Sequence, residues 1–195
     1  MRLTISDGGS CDGDDCFVDV GSTFTLTVEV VQAPSSDYVL VQTFVDFGAY
    51  NPGASEDGAG SGSCSDGVDN GERDGVDRLD DDCVSVNLIY VPANAAEDEV
   101  VWVDLNPGTA LRGNIGAGTV LHGGLTGLIP PLPTSSAIGV VVQFQMICSA
   151  SPGQVEVSLL VSNDPLAGTS GSLFVGADAA TQFIPSVSPV TVHCE

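Results

Sequence analysis

The stretch TFTLTVEV, Thr23–Val30, decides the fold class. Phe24, Leu26, Val28 and Val30 fall on one side of an extended chain, and Thr23, Thr25, Thr27 and Glu29 on the other. Alternation with a period of two marks a strand with one face in a core and one in water. The pattern recurs outward along the chain. IGVVVQFQMIC (138–148) turns Ile138, Val140, Val142, Phe144 and Met146 inward, and QVEVSLLV (154–161) does so with Val155, Val157, Leu159 and Val161. YVLVQTFVDF (38–47) and VSVNLIYV (84–91) are apolar on both faces, which places them at more central positions. EVVWVDL (99–105), RLTIS (2–6) and VTVHC (190–194) complete the set. No amphipathic helix is legible, and 24 glycines and 11 prolines supply turns between strands. The expectation is all-β: a single antiparallel β-sandwich of about nine strands over residues 1–195, with a long acidic loop inserted at 51–83.

The formal net charge is -22, with no lysine and only Arg2, Arg73, Arg78 and Arg112 as strong bases. Binding phosphates needs a basic footprint, so this balance argues against nucleic acid and against anionic membrane surfaces. It favours cations. No run reaches the roughly 18 apolar residues of a membrane span. Six cysteines without a tight C-x-x-C pair read as disulfides formed in an oxidising compartment, extracellular or at a cell surface. The start MRLTISDGG has no apolar leader core, so the chain reads as mature or trimmed.

The rhythm of strands breaks between Asn51 and Asp82. NPGASEDGAGSGS (51–63) has linker chemistry, and CSDGVDNGERDGVDRLDDDC (64–83) follows, with eight carboxylates against two arginines. Crowded carboxylates repel, and a hard divalent cation with six to eight oxygen ligands removes that repulsion. Asp66, Asp69, Asp74, Asp77 and Asp80 recur mostly three apart with glycines between, and Asn70 adds a neutral oxygen. The EF-hand template fails, since Val68 or Gly71 falls where its third position needs an oxygen. A Cys64–Cys83 link would close the loop, stabilising by on the order of 3 kcal/mol in the chain-entropy model. The shorter CDGDDC (11–16) reads as an acidic turn between strands, with Asp12, Asp14 and Asp15 as a weaker second cation candidate. Cys11 and Cys16 pair there only with strain, which leaves longer pairings open.

The acidic block resembles the aspartate-rich calcium repeats of thrombospondin type 3 modules, and still more the C-x-D-G-x-D-N-D-x-D-G-x-x-D loops of secreted microbial surface proteins. That resemblance implies Ca2+ held by Asp66, Asp69, Asn70, Asp74, Asp77 and Asp80. Gly71 and Arg73 stand where such loops usually carry acid, which leaves open one ion rather than two, or Glu72 as a substitute ligand. The remainder resembles a cohesin-type module, a nine-stranded jelly roll. The resemblance is carried by VGSTFTLTVEV (20–30), YVLVQTFVDF, GTVLHGGLTG (118–127) and the final VTVHC. It implies capture of a dockerin, although no residue here identifies a dockerin face.

Neither histidine suggests catalysis. His122 lies among glycines and reads as a turn or packing residue, and His193 ends an alternating strand. No nucleophile elbow is present, and Trp102, between valines, reads as core. The first functional expectation is a non-enzymatic, calcium-stabilised subunit that assembles with its own copies into a filament or surface layer. Its strand-forming ends would complete a neighbour's sheet, and the apolar GLTGLIPPLP (124–133) would be buried in a contact. The alternative is a cohesin-like recognition module that binds a dockerin-type surface protein or a polysaccharide.

Overall fold

The computed structural model describes residues 1–51, 53–55, 60–66, 68, 83–85, 88–91, 109–113, 118–125, 134–149, 153–162 and 171–195. The chain is all-β. Fifteen strands are formed among the described residues: β1 (Arg2–Ser6), β2 (Gly9–Asp12), β3 (Asp15–Val18), β4 (Thr23–Val30), β5 (Tyr38–Asp46), β6 (Ala49–Tyr50), β7 (Val84–Ser85), β8 (Leu88–Tyr90), β9 (Thr109–Gly113), β10 (Thr119–Leu125), β11 (Gly139–Cys148), β12 (Gly153–Leu159), β13 (Leu173–Gly176), β14 (Gln182–Phe183) and β15 (Val190–Cys194).

Two sheets form the layers of a sandwich. One runs β1–β4–β11–β8. The other runs β14–β13–β5–β12–β15–β3–β2, with β10 and then β9 added on the free side of β5. The alternation in TFTLTVEV has the expected outcome: Phe24, Leu26, Val28 and Val30 are at most 2% exposed. They meet Val142, Phe144 and Met146 of β11, and Val41, Val45, Val120, Val155, Val157 and Val192 of the opposite sheet, in one continuous core. Each such side chain contributes about 1.5–3 kcal/mol on leaving water. YVLVQTFVDF is central as its two apolar faces require, because β5 pairs with β10 on one edge and with β12 and β13 on the other.

Several details depart from the sequence reading. There are more strands than about nine, because the first 18 residues make three segments that divide between the two sheets. The sandwich is not purely antiparallel: β15 runs parallel to β3, which joins the two chain ends within one sheet. β11 alternates only from Val142 onward, because a bulge between Val140 and Val142 shifts the register. Val141 turns inward, and Ile138 is left 56% exposed instead of buried. VSVNLIYV takes no central place among the described residues. Among the described residues its β8 is an edge strand paired only to β11, and Ile89 is half exposed. The strand expected at EVVWVDL, with Trp102, lies outside the described residues.

The cysteines join as Cys11–Cys16, Cys64–Cys83 and Cys148–Cys194. The short pairing forms after all. The turn at Asp12–Asp15 closes a hairpin of β2 and β3, and Cys11 and Cys16 are direct register partners across it. The acidic CDGDDC is thus a turn between strands. Cys148–Cys194 ties β11 of one sheet to β15 of the other.

Candidate recognition face and acidic loop

The insertion begins and ends on paired backbone. Ala49 and Tyr50 lie opposite Ser85 and Val84, and the Asn51 amide donates to the Cys83 carbonyl at 2.9 Å. A 3-10 turn at Ser63–Ser65 follows, with Cys64 buried in it. The Cys64–Cys83 bond is fully buried, and its Cα atoms are 5.5 Å apart, so the two ends of the acidic block meet at one neck. Asp66 stands just outside this neck, exposed, with its Oδ1 accepting the Val68 amide at 2.8 Å. Of the other ligand candidates, Asp69, Asn70, Glu72, Asp74, Asp77 and Asp80 lie outside the described residues. The weaker candidates Asp12, Asp14 and Asp15 line the β2–β3 hairpin, and no group of three potential ligands converges among the described residues.

The outer faces of the two sheets differ in chemistry. On the smaller sheet the outward residues of β4 and its neighbours are mainly hydroxyls, amides and one ion pair, with Ile147 beside the half-exposed Ile89 at the β8 side. Gln143 Nε2 donates to Thr27 Oγ1 at 3.1 Å, and Arg2 pairs with Glu29 across β1 and β4. The larger sheet instead carries an apolar strip. Leu40, Gln42, Phe44 and Asp46 alternate outward along β5, and register brings Leu121 beside Phe44 and Gly123 beside Gln42 on β10. On the opposite edge Leu173 lies beside Gln42 and Val175 beside Leu40. Phe44 and Leu173 are buried, whereas Leu40, Leu121 and Val175 are half-buried. Gln42 Nε2 donates to the Gly171 carbonyl at 2.8 Å, and Ser172 Oγ accepts the Phe44 amide at 2.9 Å. These bonds dock the 171–172 segment against β5. On its other side this segment packs on 161–162, which requires Gly171, because a side chain there would collide with the Val161 carbonyl.

The strip was half legible in the sequence. Apolarity on both faces of YVLVQTFVDF implies a central strand. The same pattern also means that the outward side of a sheet is apolar, and this is the signal that could have located the strip.

Other ionisable groups are structural. His122 is fully buried and lies opposite Thr43, on the core side of β10, which is a packing role. His193 Nε2 lies 3.0 Å from Asp15 Oδ1. Burial raises the Tyr38 phenol above its usual range, opposed by a side-chain hydrogen bond with Ser135, and its hydroxyl donates to the Ala137 carbonyl at 2.7 Å. Asp178 is lowered to about 2, because its carboxylate accepts the Thr181 hydroxyl and the Thr181 and Ala180 amides. No helix of the described residues is long and apolar enough to cross a membrane.

No protein-family model matches the chain. No curated protein matches it in sequence. Solved structures do match in shape. The sixth cohesin of scaffoldin B from Acetivibrio cellulolyticus, crystallised with a dockerin, has a TM-score of 0.55 at 13% identity, covering 100% of this chain and 98% of that one. A type I cohesin from Clostridium thermocellum, also crystallised with a dockerin, has a TM-score of 0.50 at 8% identity, with 100% of both chains covered. A type II cohesin domain from the cellulosome of Acetivibrio cellulolyticus has a TM-score of 0.50 at 10% identity, covering 98% of this chain and 92% of that one. The fold is therefore the β-sandwich of cohesin modules.

Proposed function

We propose that this chain is an extracellular, non-enzymatic recognition module that captures a partner protein on the outer face of β10, β5 and β13. The observation that carries the reading is the apolar strip of Leu40, Leu121 and Val175 over Phe44 and Leu173. An apolar, partly exposed sheet face flanked by polar groups suits a partner that removes it from water. Support comes from the cohesin fold, whose solved examples include complexes with dockerins. Three disulfides support an oxidising compartment. His122 is sealed in the core, away from any substrate, and His193 is stacked on Phe17 and held by Asp15 with no nucleophile described beside it.

The acidic loop serves stability in this reading. Asp66, Asp69, Asn70, Glu72, Asp74, Asp77 and Asp80 hold calcium, and the buried Cys64–Cys83 neck limits how far these like charges can separate without it. The filament or surface-layer reading is weaker, because among the described residues β1 alone of the two end strands has an unpaired edge. β15 is paired on both sides and cannot complete a neighbour's sheet.

The test is calorimetric titration of the full chain, with calcium, against a panel of purified dockerins. At least one should bind, and Leu121→Arg should weaken it by roughly thirtyfold or more, as for a central interface residue, with the unfolding midpoint unchanged. If no dockerin of the panel binds and the chain sediments as a polymer, self-assembly replaces recognition.

A further inference from the structure

A second surface lies three strands from β5 along the same sheet, on β3 and β2. Phe17 is an apolar side chain left 37% exposed on an outer face. Its ring stacks on His193 of the parallel neighbour strand, with centroids 4.8 Å apart and planes 15° from parallel. His193 is held in turn by Asp15 at 3.0 Å. One side of the Phe17 ring is thus occupied and its orientation is fixed.

Phe17 also borders a hollow of about 330 Å³, whose lining includes Gly8, Gly9, Asp19 and Glu195. That volume is about ten times a water's share of the liquid and lies at the lower end of ligand pockets. The residues around the hollow bring together one aromatic residue and two acidic ones, Asp19 and Glu195. Asp12 stands exposed on β2 and Glu156 on β12, one strand beyond β15, and Arg2, the one described arginine side chain, is paired with Glu29 on the other sheet.

We infer that the Phe17 hollow receives an arginine side chain from a basic partner protein. A guanidinium stacks on an aromatic face and meets carboxylates in bidentate fashion, so it uses both features of the hollow. A lysine ammonium can use the charge but has no plane to stack. A chain of net charge -22 attracts basic partners over its whole surface, and the hollow supplies a place where one cation is oriented as well as attracted. This inference does not rest on the β5 face, and its test is separate.

The probes are acetyl-arginine methylamide and acetyl-lysine methylamide, titrated into the 15N-labelled full chain and followed by amide chemical shifts. Arginine should move the amides of Gly8, Gly9, Phe17 and Asp19 first, and should bind there more tightly than lysine. Phe17→Leu, which keeps an apolar wall without a π face, should weaken arginine by about three- to tenfold. Asp19→Asn should weaken both probes and serves as the second variant if Phe17→Leu does not fold. Equal affinity for the two probes, shifts spread evenly over every acidic turn, or arginine binding unchanged in both variants would overturn the inference.

Discussion

Leu26 and Asp178 show how differently single residues act in this molecule. Leu26 is fully buried between the sheets. Leu26→Ala should lower the unfolding free energy by about 2–5 kcal/mol, because transfer energy and a residual cavity both count against it. Urea unfolding followed by Trp102 fluorescence measures this. Asp178 sits on the surface and organises the turn between β13 and β14 by accepting three hydrogen bonds. Its folded pKa of about 2 lies below the ordinary 3.8. The depressed value means that its contribution is fully present above pH 3.8 and is lost as pH falls through about 2. The gap in thermal midpoint between the parent and Asp178→Ala should therefore be constant near neutrality and shrink through that window. The same turn holds Ala179 at φ 57°, a left-handed conformation unfavourable to a residue with a side chain. Ala179→Gly should stabilise the protein by about 1 kcal/mol in the same urea assay.

At the scale of elements, the link between the sheets is the sensitive point. The core alone holds β11 and β15 in separate layers, and the Cys148–Cys194 bond joins them across a separation of 46 residues. The chain-entropy model gives about 4 kcal/mol for a closure of that length. Replacing both cysteines by alanine should cost at least that much, because both positions are buried and also lose packing. Removing Cys11 and Cys16 should cost less, since they close only a hairpin that its own turn already brings together. Comparing the urea midpoints of the two double variants decides the ranking, and equal losses would contradict it.

At the scale of the whole molecule, net charge governs behaviour. A charge of -22 on a compact chain repels itself, and salt screens that repulsion over about 10 Å at 0.1 M. Thermal stability should rise with sodium chloride. Calcium should raise it further at micromolar to millimolar concentrations, where monovalent salt has little effect, because bound ligand stabilises by mass action. A chelator should reverse the calcium increment alone. Opening the neck with Cys64→Ala and Cys83→Ala should lower calcium affinity while leaving the sandwich folded. A thermal midpoint indifferent to calcium would remove the ion from the reading of residues 64–83.

The sequence by itself determined the class of fold and the core face of its most regular strand. Phe24, Leu26, Val28 and Val30 can bury one face only as a strand, so their spacing carries the structure with it. It also determined the charge of residues 64–83, where eight carboxylates face two arginines. Tertiary structure decided what depends on long-range register. It set the bulge that turns Val141 inward, paired β8 with β11, and paired β15 on both sides. It also brought Phe17 of β3 against His193, 176 residues later, and aligned Leu121 with Phe44. Those pairings depend on which strand lies next to which, and local alternation holds no information about neighbours that distant in the chain.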